Sequence, residues 1–236
     1  MFHAERKAGD IRGTFFEKCY ICETADIFGE EEHRIPKSAN KSDENLLQES
    51  NVFWVCSRCN KKKAHSYFKK SNKCKYGNGY LGIIDCTKCD PNQYIKMKIS
   101  EDYKHEILIT EKRYAPCVEF TVRLLNNIYC SKKKMDADIS NLKSKIIIEV
   151  DKVNLAVDLL YNEVYGGQSK TKIKGFKTNI IEYLLPSAPY SAFKRTFLEE
   201  TYEIVPNGTF KDILKEILDD PSLNPMCEVT TCSVIQ

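Results

Sequence analysis

Long apolar runs are missing from this chain. No stretch approaches the roughly 20 residues that a membrane-spanning helix needs, so neither a helical span nor a membrane partner is expected. The opening residues, Met1-Phe2-His3-Ala4-Glu5-Arg6-Lys7, are polar and hold no apolar centre of a secretion signal. At the other end, Cys232-Ser-Val-Ile-Gln236 puts its cysteine fifth from the last residue, which does not fit prenylation. A strong charge of one sign is missing as well. Lys and Arg total 36 against 33 Asp and Glu, a net of +3, so any attraction to a polyanion must come from local clustering. Without export or anchoring signals the expected compartment is the cytoplasm, where thiols stay reduced.

That expectation decides how to read the 11 cysteines among 236 residues. In a reducing compartment, closely paired cysteines read as metal ligands. Cys19-Tyr-Ile-Cys22 and Cys56-Ser-Arg-Cys59 are two such pairs. Two intervening residues form a tight knuckle that turns both sulfurs toward one point, and two knuckles supply four thiolates to a tetrahedral Zn2+. A chain of this length buries a core of its own, so the zinc need not hold the whole fold. It is expected to clasp the base of the loop between the pairs. Cys86-Thr-Lys-Cys89, with Cys74 and either Cys117 or Cys130, offers the pattern of a second zinc site; packing as small buried thiols is the preferred reading.

The pattern along the chain predicts an α+β protein in three parts. Residues 1–75 hold the zinc-bound module, 76–115 an irregular segment and a β hairpin, and 116–236 a mainly helical region. In the first part, Ala25 to Ile35 is expected as two short strands turning at Gly29. Glu44 to Trp54 is expected as a short helix or turn, with Leu46, Leu47, Val52, Phe53 and Trp54 sealing the loop. Asn60 to Lys70 is expected as a helix starting at the zinc. Tyr94 to Ile99 alternates with period two and predicts a strand, with Ile107-Leu108-Ile109 as its antiparallel partner. A helix follows from Pro116 to Ile128. From Ile139 to Val164 apolar residues recur three and four apart, which predicts a helix of about 25 residues closed by Gly166-Gly167. Further helices are expected over Lys172–Leu185, over Tyr190–Thr201, and after Asn207 as cap, with Phe210, Ile213, Leu214, Ile217 and Leu218 on one face. These stripes are expected to pack on each other, with partner docking as the alternative.

The loop between the knuckles carries Glu32-His33-Arg34-Ile35-Pro36-Lys37, and Asn60 follows the second pair directly. Phosphodiester cleavage needs a base to take a proton from water, and positive charge to offset what develops on the phosphate and leaving oxygen. A neutral imidazole does the first near pH 7. A hard divalent cation held by oxygen donors does the second. His33 is the candidate base; the Glu32 carboxylate and Asn60 amide are candidate ligands for Mg2+ or Mn2+. Asn45 is placed to pin the loop by hydrogen bonds. Lys61, Lys62, Lys63, Lys69, Lys70, Lys73 and Lys75 crowd behind the second knuckle, either as a field for a phosphate backbone or as a solvated helix face.

The order Cys-x-x-Cys, Glu-His-x-x-Pro-Lys, Glu-Asn-Leu-Leu, then Cys-x-x-Cys-Asn-x-x-Lys resembles the HNH endonucleases of the ββα-metal fold. More narrowly it is similar to the PtuB-type HNH nucleases carried with Septu antiphage systems and some retrons. Asp90-Pro91-Asn92-Gln93-Tyr94-Ile95, Thr121-Val122-Arg123-Leu124-Leu125-Asn126 and Pro186-Ser187-Ala188-Pro189-Tyr190-Ser191-Ala192-Phe193 resemble later segments of that family, so the likeness runs from about residue 12 to about residue 200. It implies a metal-dependent endonuclease acting as a defence effector. His33 would be the general base, Glu32 and Asn60 the Mg2+ or Mn2+ ligands, and Asn45 the residue that orders the loop. Cys19, Cys22, Cys56 and Cys59 would hold a structural Zn2+. Lys63, Lys37 and His65 would meet phosphate, with a plain helix-surface role as the alternative for His65. The implied partners are DNA or RNA, a PtuA-type ATPase docked on the helical half, and a retron reverse transcriptase with its RNA–DNA hybrid. The chain departs from many HNH enzymes in having Glu rather than Asp at position 32 and Asn rather than His at position 60. The competing reading is a non-catalytic zinc module that binds nucleic acid or protein without cleaving it.

Overall fold

The computed structural model describes residues 4, 7–25, 27–40, 42–63, 66–71, 79–100, 106–113, 115, 117–129, 137–167 and 169–223. Among these the architecture is α+β, with every strand in a two-stranded antiparallel sheet. The first sheet pairs β1 (Gly29–His33) with β2 (Val52–Cys56), and α2 (Ser57–Lys63) follows β2 without a break. A four-residue helix, α1 (Ile11–Thr14), precedes them and packs on β2. The second sheet pairs β3 (Phe68–Lys70) with β4 (Tyr80–Gly82), and the third pairs β5 (Ile95–Ile99) with β6 (Ile107–Glu111). Helices α3 (Val118–Tyr129), α4 (Ala137–Tyr165), α5 (Lys170–Leu184), α6 (Ser191–Ile204) and α7 (Thr209–Leu218) complete the order. None of the described helices is long and apolar enough to cross a membrane.

The region around the knuckles differs from the expectation in three places. The segment 25–35 contributes one strand, not two, and its partner is the distant β2. Gly29 opens that strand because Trp54 lies across it: a Cβ there would sit 2.4 Å from the indole ring. Close approach, not a turn, is what the glycine permits. The segment 44–54 makes two 3-10 turns and then enters β2, whose β-branched and aromatic residues favour a strand. The helix at the second cysteine pair starts at Ser57, ahead of Asn60, and ends at Lys63; Phe68–Lys70 is the strand β3. Later elements follow the pattern closely, including the pairing of Met97 with Ile109. At α7 the cap position is Gly208, and Asn207 makes no side-chain cap.

One core gathers Phe15, Tyr20, Ile21, Phe53 and Val55 from around the cysteine pairs with Ile95, Met97, Leu124, Leu125, Leu142 and Phe193 from the β5–β6 hairpin and the helices. Phe53 meets the rings of Phe15 and Tyr20 at 5.1 and 4.9 Å between centroids. A second core lies wholly among α4 to α7 and the turn after them, where Val153, Val157, Leu160, Leu184, Leu198 and Leu214 are buried. The regular stripe of α4 therefore packs on its neighbouring helices, as amphipathic periodicity requires.

Candidate metal centre and the strand end it supports

Cys19 and Cys22 stand in a turn beside β2, where Tyr20 N donates to Trp54 O at 3.0 Å and Glu23 N to Cys19 O at 2.9 Å. Cys56 ends β2 and Cys59 lies in the first turn of α2. The four sulfurs all lie within 4.8 Å of one another, and Cys22 Sγ is 3.9 Å from Cys56 Sγ. A zinc–thiolate tetrahedron with bonds of about 2.3 Å has edges of about 3.8 Å, so the cluster fits such an ion. It does not fit disulfides, whose sulfurs approach to about 2 Å, and all four cysteines are free thiols. Three are buried and Cys56 is partly exposed. Burial pushes the Cys19 thiol up, while hydrogen bonds from the other sulfurs pull Cys56 and Cys22 down. Four sulfurs in this space cannot all ionise unless a cation joins them. Among the described residues this is the single group of three or more Cys, His, Asp or Glu arranged for a metal. Cys86, Cys89 and Cys117 are buried, and Cys74 lies outside the described residues, as do Cys130 and His65.

The sulfur cluster sits at one end of the hairpin and the polar residues at the other. Gly29 faces Cys56 across the ladder, whereas His33 faces Val52. Four residue steps along a strand span roughly 13 Å, so a bound zinc supports the strand end without touching it. Beyond His33 the chain is held by Asn51. Ile35 N donates to Asn51 Oδ1 at 2.9 Å, and Asn51 Nδ2 donates to Ile35 O at 2.8 Å and to Leu46 O at 3.0 Å. The loop-ordering role expected of Asn45 thus falls to Asn51. Asn45 is exposed and bonds locally, to Asp43 and Gln48. Three asparagines, at 40, 45 and 51, lie in this loop; only the step from Asn51 into the apolar run of β2 distinguishes it in the sequence.

His33 is half-buried at the end of β1. Burial first, and then the nearby Lys37 ammonium, hold its imidazole below the ordinary value, so it is neutral at pH 7. Lys37 itself is exposed, just past Pro36. Glu32, the preceding residue, accepts at Oε1 from Lys63 Nζ, which also donates to His33 O at 2.8 Å. Lys63 is 1% exposed, so the lysine expected at phosphate is turned inward instead. Asn60 lies one turn earlier on α2 and is half-buried. The β3–β4 hairpin closes against this corner: Phe68 and Tyr80 pack with Ile35 and Leu46, leaving Lys69 and Lys70 exposed.

A buried polar link ties the first knuckle to α6. Glu23, next to Cys22 and at φ +57°, accepts from Ser191 Oγ at 3.0 Å and Ala192 N at 3.3 Å at the start of that helix. Lys18 donates to Pro186 O and Ala188 O at 2.5 and 2.7 Å. Neither contact was legible beforehand, since both bridge more than 160 residues of sequence. No family model, no curated protein and no solved structure matches this chain.

Proposed function

We propose that this protein is a metal-dependent endonuclease of the HNH type, cleaving phosphodiester bonds with His33 as its base. The observation that carries the reading is a half-buried imidazole, held below its usual pKa beside the exposed Lys37, at the end of a strand whose far end is clasped by four cysteines. The consecutive order of β1, β2 and α2 is the strand–strand–helix order that the ββα-metal name describes. His33 takes the proton from an attacking water, and Lys37 offsets charge on the phosphate. Asn51 keeps the backbone beyond His33 in place, so the imidazole keeps one orientation.

Glu32 and Asn60 are hard oxygen donors on adjoining elements and fit a Mg2+ or Mn2+ ion in donor type, with Lys63 already on one carboxylate oxygen. When bound, such an ion neutralises charge on the phosphate and leaving oxygen. A zinc ion held by Cys19, Cys22, Cys56 and Cys59 would have all four positions filled by thiolates and would serve the fold alone. The resemblance extends the proposal to an effector of a Septu- or retron-type defence system, with a PtuA-type ATPase and a retron reverse transcriptase with its RNA–DNA hybrid as partners and DNA or RNA as substrate.

The test is the purified zinc-loaded chain on plasmid, single-stranded DNA and total RNA, with Mg2+, with Mn2+ and with neither. Cation-dependent cleavage that His33→Ala removes at unchanged zinc content supports the proposal. A second reading, a zinc module that binds nucleic acid without cleaving it, is favoured by one observation: the carboxylate needed for the second ion is paired with a buried lysine. Tight binding without turnover in all three conditions selects that reading.

A further inference from the structure

Lys63 is the last residue of α2, at the end of a run of three lysines. Lys61 is exposed and Lys62 half-buried, but the Lys63 side chain is 2% exposed and ends on two acceptors, Glu32 Oε1 and the His33 carbonyl. Burying an ammonium costs several kcal/mol unless a carboxylate and further hydrogen bonds answer it. Both answers here come from the two adjacent residues on which the proposed chemistry rests. The Glu32 side chain is 20% exposed. Solvent therefore reaches part of this side chain, and a small ion can follow the same route.

We infer that Lys63 is the resident cation of the Glu32 position, a positioning residue that a divalent cation displaces. In the resting molecule its ammonium neutralises Glu32 and holds the end of β1 through the His33 carbonyl. A divalent ion arriving from solvent takes over the carboxylate, and Lys63 keeps its proton and its bond to the carbonyl. No covalent bond changes; one carboxylate exchanges an ammonium for a metal ion. Lys63 is too deeply placed to meet a polynucleotide, so its effect passes through Glu32. The inference rests on the reading of Glu32 as a ligand for the second ion, and it makes that reading testable by binding alone.

The experiment is a Mn2+ titration of the zinc-loaded full chain, followed by calorimetry and by the Mn2+ paramagnetic resonance signal. Lys63→Met removes the competitor and tightens Mn2+ binding by about tenfold or more. Adding Glu32→Gln to that variant removes the gain. Lys63→Gln, which retains a donor for the His33 carbonyl without the charge, shows the same gain and serves if Lys63→Met does not fold. Zinc content and the melting curve establish that each variant is folded. Equal Mn2+ affinity in the wild type and in a folded Lys63 variant overturns the inference, and so does a gain that survives Glu32→Gln. A Mn2+ gain without cleavage of any nucleic acid leaves it standing and removes the nuclease reading. Cleavage by the wild type with no Mn2+ gain does the reverse.

Discussion

Several lysines of the β5–β6 hairpin and the helices meet carboxylates, whereas the exposed lysines around the cysteine-side hairpin do not. Lys96 and Lys98 both meet Glu200 at 3.0 Å, Lys112 meets Glu199 at 2.6 Å, and Lys177 meets Glu216 at 2.7 Å. Lys37, Lys61, Lys69 and Lys70 have no carboxylate partner among the described residues, and Lys63, which has one, is buried. Matched surface pairs contribute little and suit a helix that only needs to stay solvated. Exposed lysines without a carboxylate partner keep their charge available to a polyanion. The two cores differ in the same sense. The helical one admits a buried cation only at its edge, where Arg195 donates to Leu184 O and Leu223 O, and the cysteine-side corner relies on sulfurs, one asparagine and buried charge.

The largest expected effect separates the two regions outright. A closed four-thiolate zinc contributes on the order of 10 kcal/mol to a small unit that folds around it. Removing zinc with a chelator, or replacing Cys59 with Ser, is expected to abolish amide-exchange protection in β1, β2 and α2. Protection in α5 and α7, which pack in the second core, is expected to persist. Simultaneous loss in both regions would show that the helices depend on the clasp and would break the comparison.

Next comes the imidazole. His33→Ala is expected to lower cleavage by roughly 100-fold to 10,000-fold, the usual contribution of a positioned base. Zinc content and melting temperature should hardly move, because His33 is only half-buried. Wild-type cleavage in this variant sinks the proposed role of His33.

How much of this was legible depends on whether the information is local. The stripe of α4 and the alternation of β5 are periodic signals, and each element formed close to where its period placed it. The cysteine spacing named the four sulfurs that converge. What stayed hidden was direction. Glu32, His33 and Lys63 were all visible as candidates, but a lysine run gives no sign of which member turns inward. That choice depends on the angle at which α2 leaves β2. The pairing of β1 with β2 was hidden for a similar reason, since 18 residues, 34–51, lie between His33 and its partner Val52. Tertiary contact overrode the local turn signal at Gly29.

Lys18 sharpens the comparison because it joins the regions. It is fully buried beneath the first knuckle and donates to the chain just before α6. Burial lowers its pKa from 10.5 to about 7, against the raising effect of Glu23. Below pH 7 both folded and unfolded chains carry the proton, and the cost of the buried charge is constant. Between pH 7 and 10.5 the unfolded chain holds the proton and the folded chain releases it, so stability rises with pH through that window. Over the whole window the rise is expected to reach roughly 3–5 kcal/mol. Denaturant melts of zinc-saturated protein from pH 6.5 to 9.5 measure it, and Lys18→Met is expected to flatten the curve. A wild-type curve as flat as that of the variant would show that Lys18 titrates alike in both states.

The smallest effect distinguishes two asparagines of the same loop. Asn51 is 7% exposed and answers one N–H and two carbonyls, at Ile35 and Leu46. Asn51→Ala leaves those buried groups unsatisfied and is expected to cost about 2–3 kcal/mol. Asn45 is exposed, with bonds that water replaces, so Asn45→Ala is expected to stay within about 0.5 kcal/mol. The two variants also part in activity. Loosening Ile35 frees the backbone two residues beyond His33, so Asn51→Ala is expected to lower cleavage as well as stability, while Asn45→Ala leaves both nearly unchanged. Denaturant melts with a matched cleavage assay decide it, and the reverse ranking would return the ordering of the loop to Asn45. In that event the hydrogen bonds around Asn51 would be a consequence of the strand pairing rather than what holds the imidazole in place.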